Sequence, residues 1–349
     1  MWSGRPLMDM FKRRALRAPA RPLFELAARQ WTIAPSEPAV TARAYYLPDQ
    51  IDRIIKSAFM EGHPRRLVEG GVPIVHKATR GFVFKDVHLI DGVLYKNDGT
   101  WHLRPRASRL PQLRVQTEID HAAIYCTIPG NRYFGHWLLD DCVLYPLASK
   151  EGLPVTTAQP PAKQVPHADA YERRFEMKPL RVESAFFREL VMFDDLGQNS
   201  HKRERFGRLR EKLLASLDAE PHPGVFIIRG DSGQRRILKN ELEVAEHLRV
   251  RRGFRVVDVT KADVDTLLQT CVGARTVVGT EGSHLIHGLL VMPAGGSVLT
   301  IQPPKRFSLV YKDLADRERL NFGFVLGAPD GDDFVADLTE VERTLDLLP

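Results

Sequence analysis

Val225-Phe-Ile-Ile228, Phe254-Arg-Val-Val-Asp-Val259, Thr276-Val-Val-Gly279 and Ser297-Val-Leu-Thr-Ile301 are four short apolar runs, and a helical pattern separates each from the next. Short runs rich in β-branched residues and bounded by Gly or charge read as buried strands. Asn240 to Arg252 is predicted helical, with Leu242, Ala245 and Leu248 on one face, and Gly253 ends it. Ala262 to Thr270 turns Leu267 and Leu268 inward, and His284 to Val291 runs until Pro293. The order β-α-β-α-β-α-β with short connections predicts a parallel, Rossmann-like sheet. Right-handed crossovers put helices on both faces. Ligands then bind beyond the carboxyl ends of the strands. The residues after Ile228, Val259, Gly279 and Ile301 are therefore the functional candidates.

Two of those ends carry suggestive chemistry. Arg229 follows the first strand, Gly230 and Gly233 bend the loop, and Arg235, Arg236 and Lys239 come next. Cations on a Gly-containing loop before a helix suit a di- or polyanion. Asn240 is placed to cap that helix, with Glu241 behind it. The third strand runs into Gly279-Thr-Glu281-Gly282-Ser283-His284. Its glycines allow close backbone approach, and Ser283 at a helix start again favours an anion. The plainer alternatives are an ordinary basic loop, a surface carboxylate at Glu281 and helix-face packing for His284 and His287. A lone His-x-x-His is too weak a pattern for a metal site. Asp263-Val-Asp265 has the D-x-D form, but a helix start explains those carboxylates.

Upstream, residues 31–119 are punctuated by Pro and Gly and predict small antiparallel hairpins, with Asp91-Gly92 as a turn. From residue 120 a strand at Ala122–Cys126, a loop at Pro129-Gly-Asn131, a helix from Gly135 to Ala148 and a loop at 159–166 suggest a small α/β domain reaching residue 200. His136 and Asp140 are four apart on that helix and share a face. An imidazole and a carboxylate so placed could hold or deprotonate a hydroxyl; a surface ion pair is the alternative. His201 to Lys212 is a basic stretch in which Phe206, Leu209, Leu213 and Leu217 keep helical spacing. It reads as an amphipathic helix with a charged outer face.

Composition sets the outer bounds. The 349 residues are 43% hydrophobic and 27% charged, with 50 Lys+Arg against 44 Asp+Glu. These figures exclude collagen, disordered tails and disulfide miniproteins. Cys126, Cys142 and Cys271 have neither C-x-x-C nor Cys/His ligand spacing, so buried free thiols are expected. No run approaches the roughly 18 apolar residues of a membrane span, nor does the start read as a secretory signal. A cytoplasmic protein, possible at the inner face of the membrane, is the expectation. Residues 1–30 hold seven Arg or Lys against two acids, nearly the whole net +6. Leu7, Met8, Met10, Phe11, Ala15 and Leu16 could share one face of a short helix there. Such an arm is either a frayed, solvated end or a peripheral contact with an anionic membrane. G-x-S-x-G, a Walker lysine and G-x-G-x-x-G are all missing from the sequence.

The segments His136-Trp137-Leu-Leu-Asp140, Arg229 with Arg236 and Asn240-Glu241, Gly279-Thr-Glu-Gly-Ser283, and Val298-Leu-Thr-Ile-Gln-Pro303 together resemble glycosyltransferase family 61, in order and spacing over roughly residues 120–305. Glu281 stands where many members have His, and Ser283 where they have Ala. The resemblance implies an α/β, GT-B-like fold: two Rossmann-like domains facing a cleft, after a β-rich N-terminal lead-in. The expected division is a basic arm at 1–30, the β-rich region 31–119, an acceptor-side domain at 120–200, a nucleotide-sugar domain at 201–335 and a closing helix at 336–349. It further implies inverting, metal-independent transfer of a hexosyl or pentosyl group from a nucleotide sugar, expected to be a UDP-sugar, to a capsular or other polysaccharide. No cofactor beyond that co-substrate is expected. Donor contacts would come from Arg229, Arg236, Asn240, Glu241, Gly279, Glu281, Gly282, Ser283 and His284. Asp140 is the first candidate base, with His136 as the alternative or its orienting partner, and Glu281 as a third. A non-catalytic nucleotide-sugar-binding module competes with this reading. A nucleic-acid-binding protein, suggested only by the pI, is not expected.

Overall fold

The computed structural model describes all residues except 1, 16, 18–20, 60–62, 109, 111, 158–166, 232 and 234; the loop expected at 159–166 lies outside the described residues. The chain divides into two units, residues 1–36 with 77–206 and residues 37–76 with 207–349. Both combine strands and helices, so the fold is mixed α/β.

The first unit is built on one mixed sheet. Thr79–Ile90 and Val93–Lys96 form the expected hairpin. Asp91 and Gly92 both have positive φ (48° and 73°), the backbone a tight primed turn requires. Asp91 is buried and accepts from Arg104 Nη1 (2.9 Å) and the Ala107 N–H (2.9 Å). Thr79–Ile90 then pairs antiparallel with Ser184–Asp194. Ser184–Asp194, Thr117–Ile124, Leu153–Thr157 and Leu180–Val182 follow in parallel. Phe84, Leu89, Phe187 and Leu190 lie in its core. Residues 31–119 and 120–200, separate in the sequence reading, thus contribute to one sheet. Once Thr79–Ile90 pairs with Ser184–Asp194, no edge remains between them.

The second unit carries the parallel sheet that the sequence predicted. Its order is Arg255–Asp258, His222–Ile228, Ala274–Thr280, Ser297–Gln302, Asn321–Leu326, all parallel. In chain order this is 2-1-3-4-5, so the winding reverses between His222–Ile228 and Ala274–Thr280. The fifth strand and its helix, Val310–Glu318, were not foreseen. Nor was the contribution of residues 37–76. There Gln50 is fully buried and its Oε1 accepts the Leu326 N–H (2.9 Å), and Tyr45 bridges to Gly323.

Helix Glu241–Arg252 ends at Gly253 in the left-handed region, as expected. Its inner face is Val244, Ala245 and Leu248, whereas Leu242, expected inside, is 70% exposed. Asp263 caps Val264–Cys271 by accepting the Thr266 N–H, which accounts for the D-x-D pattern. The three cysteines are free and buried. No helix among the described residues is long and apolar enough to cross a membrane.

Candidate active site

Each unit holds a cluster of chemically capable side chains that the sequence had marked in part. In the first unit, Phe134–His136 and Cys142–Glu151 are α-helical, and Trp137–Asp141 between them takes the wider π register. The Cys142 N–H reaches back to Trp137 O, five residues away. Short π segments often accompany functional residues, because the extra residue per turn re-aims side chains. Here it separates two adjacent carboxylates. Asp141 is fully buried and accepts from Thr127 Oγ1 (2.8 Å) and the Thr127 N–H (3.2 Å). Burial pushes its carboxyl well above the ordinary value. Asp140 faces the other way: Oδ2 meets His136 Nδ1 at 2.9 Å, and Oδ1 accepts from Lys202 Nζ at 2.5 Å.

Lys202 was not singled out from the sequence. Its side chain is 1% exposed and also donates to Asp195 O (3.1 Å). Asn199 caps its helix, Ser200–Leu214, by accepting the Lys202 N–H (2.9 Å). Burial alone would raise the Asp140 carboxyl; the Lys202 ammonium and the His136 hydrogen bond override it and hold Asp140 well below the carboxylate range. A signal was present. Lys202 and Arg205 stand four residues before Phe206 and Leu209, on the face that carries the apolar stripe. Arg205 is equally buried and bonds Asp195 Oδ1 (2.7 Å) and Val143 O (2.8 Å).

In the second unit the cluster forms where the winding of the sheet reverses. Arg229 follows His222–Ile228 and Glu281 follows Ala274–Thr280. Arg229 Nη1 donates to Arg236 O (3.0 Å), which holds the loop. Arg236 Nε donates to Glu281 O (2.7 Å) and lies 3.0 Å from Glu281 Oε2. A Cβ on Gly282 would come within 3.1 Å of Arg236 Nη2 and 3.2 Å of Arg229 Nε, so both guanidiniums converge on this glycine. Burial, then the neighbouring Arg236, pushes the Arg229 guanidinium down to about 10, which leaves it cationic at neutral pH.

Arg306, beyond the fourth strand, also belongs here. Its Nη1 lies 2.9 Å from Glu281 Oε2 and its guanidinium covers the Phe59 ring at 5.1 Å. The sequence reading marked the region after Ile301 without singling out Arg306. Glu281 therefore touches two arginines. Tyr311 OH donates to Gly282 O (2.6 Å) and fixes the turn. His284 is buried, and burial together with Arg229 holds its imidazole well below the ordinary value, hence neutral.

Several candidates serve the scaffold. Glu241 accepts the Arg229 N–H (3.1 Å), the Gly230 N–H (2.7 Å) and Thr280 Oγ1–H (2.9 Å), pinning the loop to the third strand's end. Asn240 stands at the cap position but makes no side-chain cap. It pairs instead with Ala336, donating to O (2.9 Å) and accepting from N (3.0 Å). Gly279 is packed, not open to a ligand: a Cβ there would meet Ile227 O at 2.7 Å. Ser283 is the first residue of a 3₁₀ turn, Ser283–Leu285, and the cap position falls to Gly282 instead. Arg235 and Lys239 are drawn to Asp333 (2.9 Å) and Asp330 (2.8 Å), leaving Arg236 as the loop cation that turns inward. Among the described residues no group of three or more His, Cys, Asp or Glu could hold a metal ion.

Residues 134–299 match the family model described as Glycosyltransferase 61. The match begins at the helix bearing His136 and Asp140 and ends within the strand Ser297–Gln302, so it takes in His136, Asp140, Lys202, Arg229, Arg236 and Glu281 but stops short of Arg306 and Tyr311. The chain resembles that family, and the family implies glycosyltransferase activity. No curated protein matches the chain.

Proposed function

From the resemblance to glycosyltransferase 61 we propose that this chain transfers a sugar from a nucleotide sugar, taken as a UDP-sugar, to a hydroxyl of a glycan acceptor, with inversion and without a metal ion. The observation that carries the reading is the convergence of the buried Arg229 and Arg236 guanidiniums on Gly282, beyond the carboxyl ends of a parallel sheet at its winding reversal. That is where α/β sheets bind phosphate-bearing ligands. As the anomeric carbon–oxygen bond breaks, its electron pair leaves with the diphosphate, and preorganised cations stabilise that charge.

The acceptor hydroxyl gives its proton to a base while its oxygen bonds the anomeric carbon. His136 fits this role better than Asp140. A carboxylate held ionised by a buried ammonium is a weak proton acceptor at neutral pH. It can still accept the His136 Nδ1–H and so orient the ring, with Nε2 as the nitrogen that takes the acceptor proton. A GT-B-like division of labour is part of the proposal, with residues 207–349 holding the donor. A polysaccharide acceptor rests on the resemblance.

UDP should raise the melting temperature of the protein, and Arg236→Gln should remove that shift. His136→Ala should keep the shift and lower kcat by about 10²–10⁴-fold. The lack of any UDP effect on the native chain would sink the donor site, and full turnover by His136→Ala would remove it as base. A second reading, a module that binds nucleotide sugar without turnover, draws on Glu281's hold on Arg236 and Arg306; product from any donor–acceptor pair excludes it. The nucleic-acid alternative loses ground because Lys202 and Arg205, part of the basic stretch, are buried.

A further inference from the structure

The helix Arg5–Ala15 is amphipathic in an inverted sense: its apolar strip faces outward. Leu7, Met8, Phe11 and Ala15 fall within an arc of roughly 100° on a helical wheel. Leu7, Met8 and Phe11 are 41%, 51% and 60% exposed, and Trp2 just before the helix is 77% exposed. Pro6 is buried on the other side. The orientation is fixed by contacts within the first unit. The Ser3 N–H donates to Leu113 O (2.8 Å), Trp2 bridges to Arg114, and Asp9 pairs with Arg106 at 3.1 Å. Arg106 is itself tied to Tyr95 OH (2.7 Å). Turning the strip inward would break the Asp9–Arg106 pair. Leu110, in the loop leading to Leu113, adds another exposed apolar side chain.

Beside the strip, cations outnumber acids. Lys12 stands in the second half of the helix, Arg17 follows it, and Arg114 is exposed alongside Trp2. The helix has one acid, Asp9, which is engaged by Arg106. An isologous pairing of two copies through this strip would bring like charges together. An anionic lipid surface instead offers hydrocarbon for the strip and negative headgroups for its rim.

We propose that the exposed face of Arg5–Ala15, with Trp2, docks the protein on an anionic membrane surface, the helix lying in the interface plane. The surface belongs to the first unit and is independent of the transferase reading. The test is co-sedimentation of the full chain with vesicles of phosphatidylcholine alone and of phosphatidylcholine mixed with phosphatidylglycerol. Binding to the anionic vesicles should exceed binding to the neutral ones by about tenfold or more and fall with added salt. Leu7→Glu/Phe11→Glu should reduce it by a similar factor while circular dichroism and thermal unfolding stay unchanged. Both sites are exposed; if that variant misfolds, Leu7→Ser/Phe11→Ser serves in its place. Equal binding by the variants, no binding to anionic vesicles, or a dimer lost in the variants without vesicle binding would each overturn the proposal.

Discussion

Glu281→Gln should move two measurements in opposite directions. Glu281 Oε2 lies 3.0 Å from Arg236 Nε and 2.9 Å from Arg306 Nη1, and the side chain is 6% exposed. Without its charge the two guanidiniums lose their common counter-ion, a cost of about 1–3 kcal/mol in unfolding free energy. A phosphate held by the same guanidiniums would sit roughly 5 Å from that carboxylate, where like charges repel by about 1–3 kcal/mol at an effective dielectric constant of about 20–80. Removing the charge should therefore tighten UDP binding by about 5- to 150-fold. Urea titration reads the first quantity, and isothermal titration calorimetry with UDP and no added sugar reads the second. UDP affinity that stays level or falls, in a variant with native circular dichroism, would refute the reasoning, because the carboxylate would then not face the phosphates. A gain in affinity without loss of stability would show that Glu281 is not holding the arginines in the unliganded protein.

Two further outcomes follow from the same geometry. Glu241→Gln turns an acceptor of three hydrogen bonds into a group with one acceptor oxygen; it should lower stability by about 2–4 kcal/mol in urea unfolding, with UDP affinity falling as the Arg229 loop loosens. Below pH about 6.5 stability should decline, because the unfolded chain protonates an imidazole that His284 keeps neutral in the fold; below about pH 4 a second decline should set in, as the unfolded Asp140 takes up protons while its depressed folded carboxyl resists them. His88 and His222, lowered by burial as well, share in the first step, so His284→Gln should reduce it without abolishing it in pH-dependent urea titrations, and an unchanged profile would reject the assignment to His284.

How far the sequence reaches depends on whether a property is set by position along one strand or by what packs across it. The parallel sheet of the second unit was legible because Val225–Ile228 is wholly apolar and Thr276–Gly279 and Ser297–Ile301 are short runs without a charge, as strands buried on both faces tend to be. The location of the arginine cluster was legible too, since a cation after Ile228 and a Gly turn after Gly279 are strand ends by count. The fifth strand was harder: Asn321-Phe-Gly-Phe-Val-Leu326 follows a charged helix and has a glycine at its centre, where a Cβ would crowd Leu299 Cδ1 at 3.0 Å and Tyr45 O at 3.1 Å. The Tyr45 contact spans 278 residues, counting 323 minus 45, and no local pattern announces it.

The roles of individual polar side chains were the least legible. Glu241 and Glu281 both stand near the cations, and nothing in their local sequence says that one turns to backbone N–H groups and the other to guanidiniums. Asp140 and Asp141 are chain neighbours, yet they end at opposite extremes: burial favours the protonated form of one, and a buried ammonium forces ionisation of the other. Lys202 decides that difference from a helix 62 residues away. Its position was nonetheless readable. A lysine in register with an apolar stripe must either snorkel or find a buried anion. Asp140, already drawn toward His136, is the anion it meets. The choice of His136 over Asp140 as base thus rests on a residue in the basic stretch that first looked like a solvated surface.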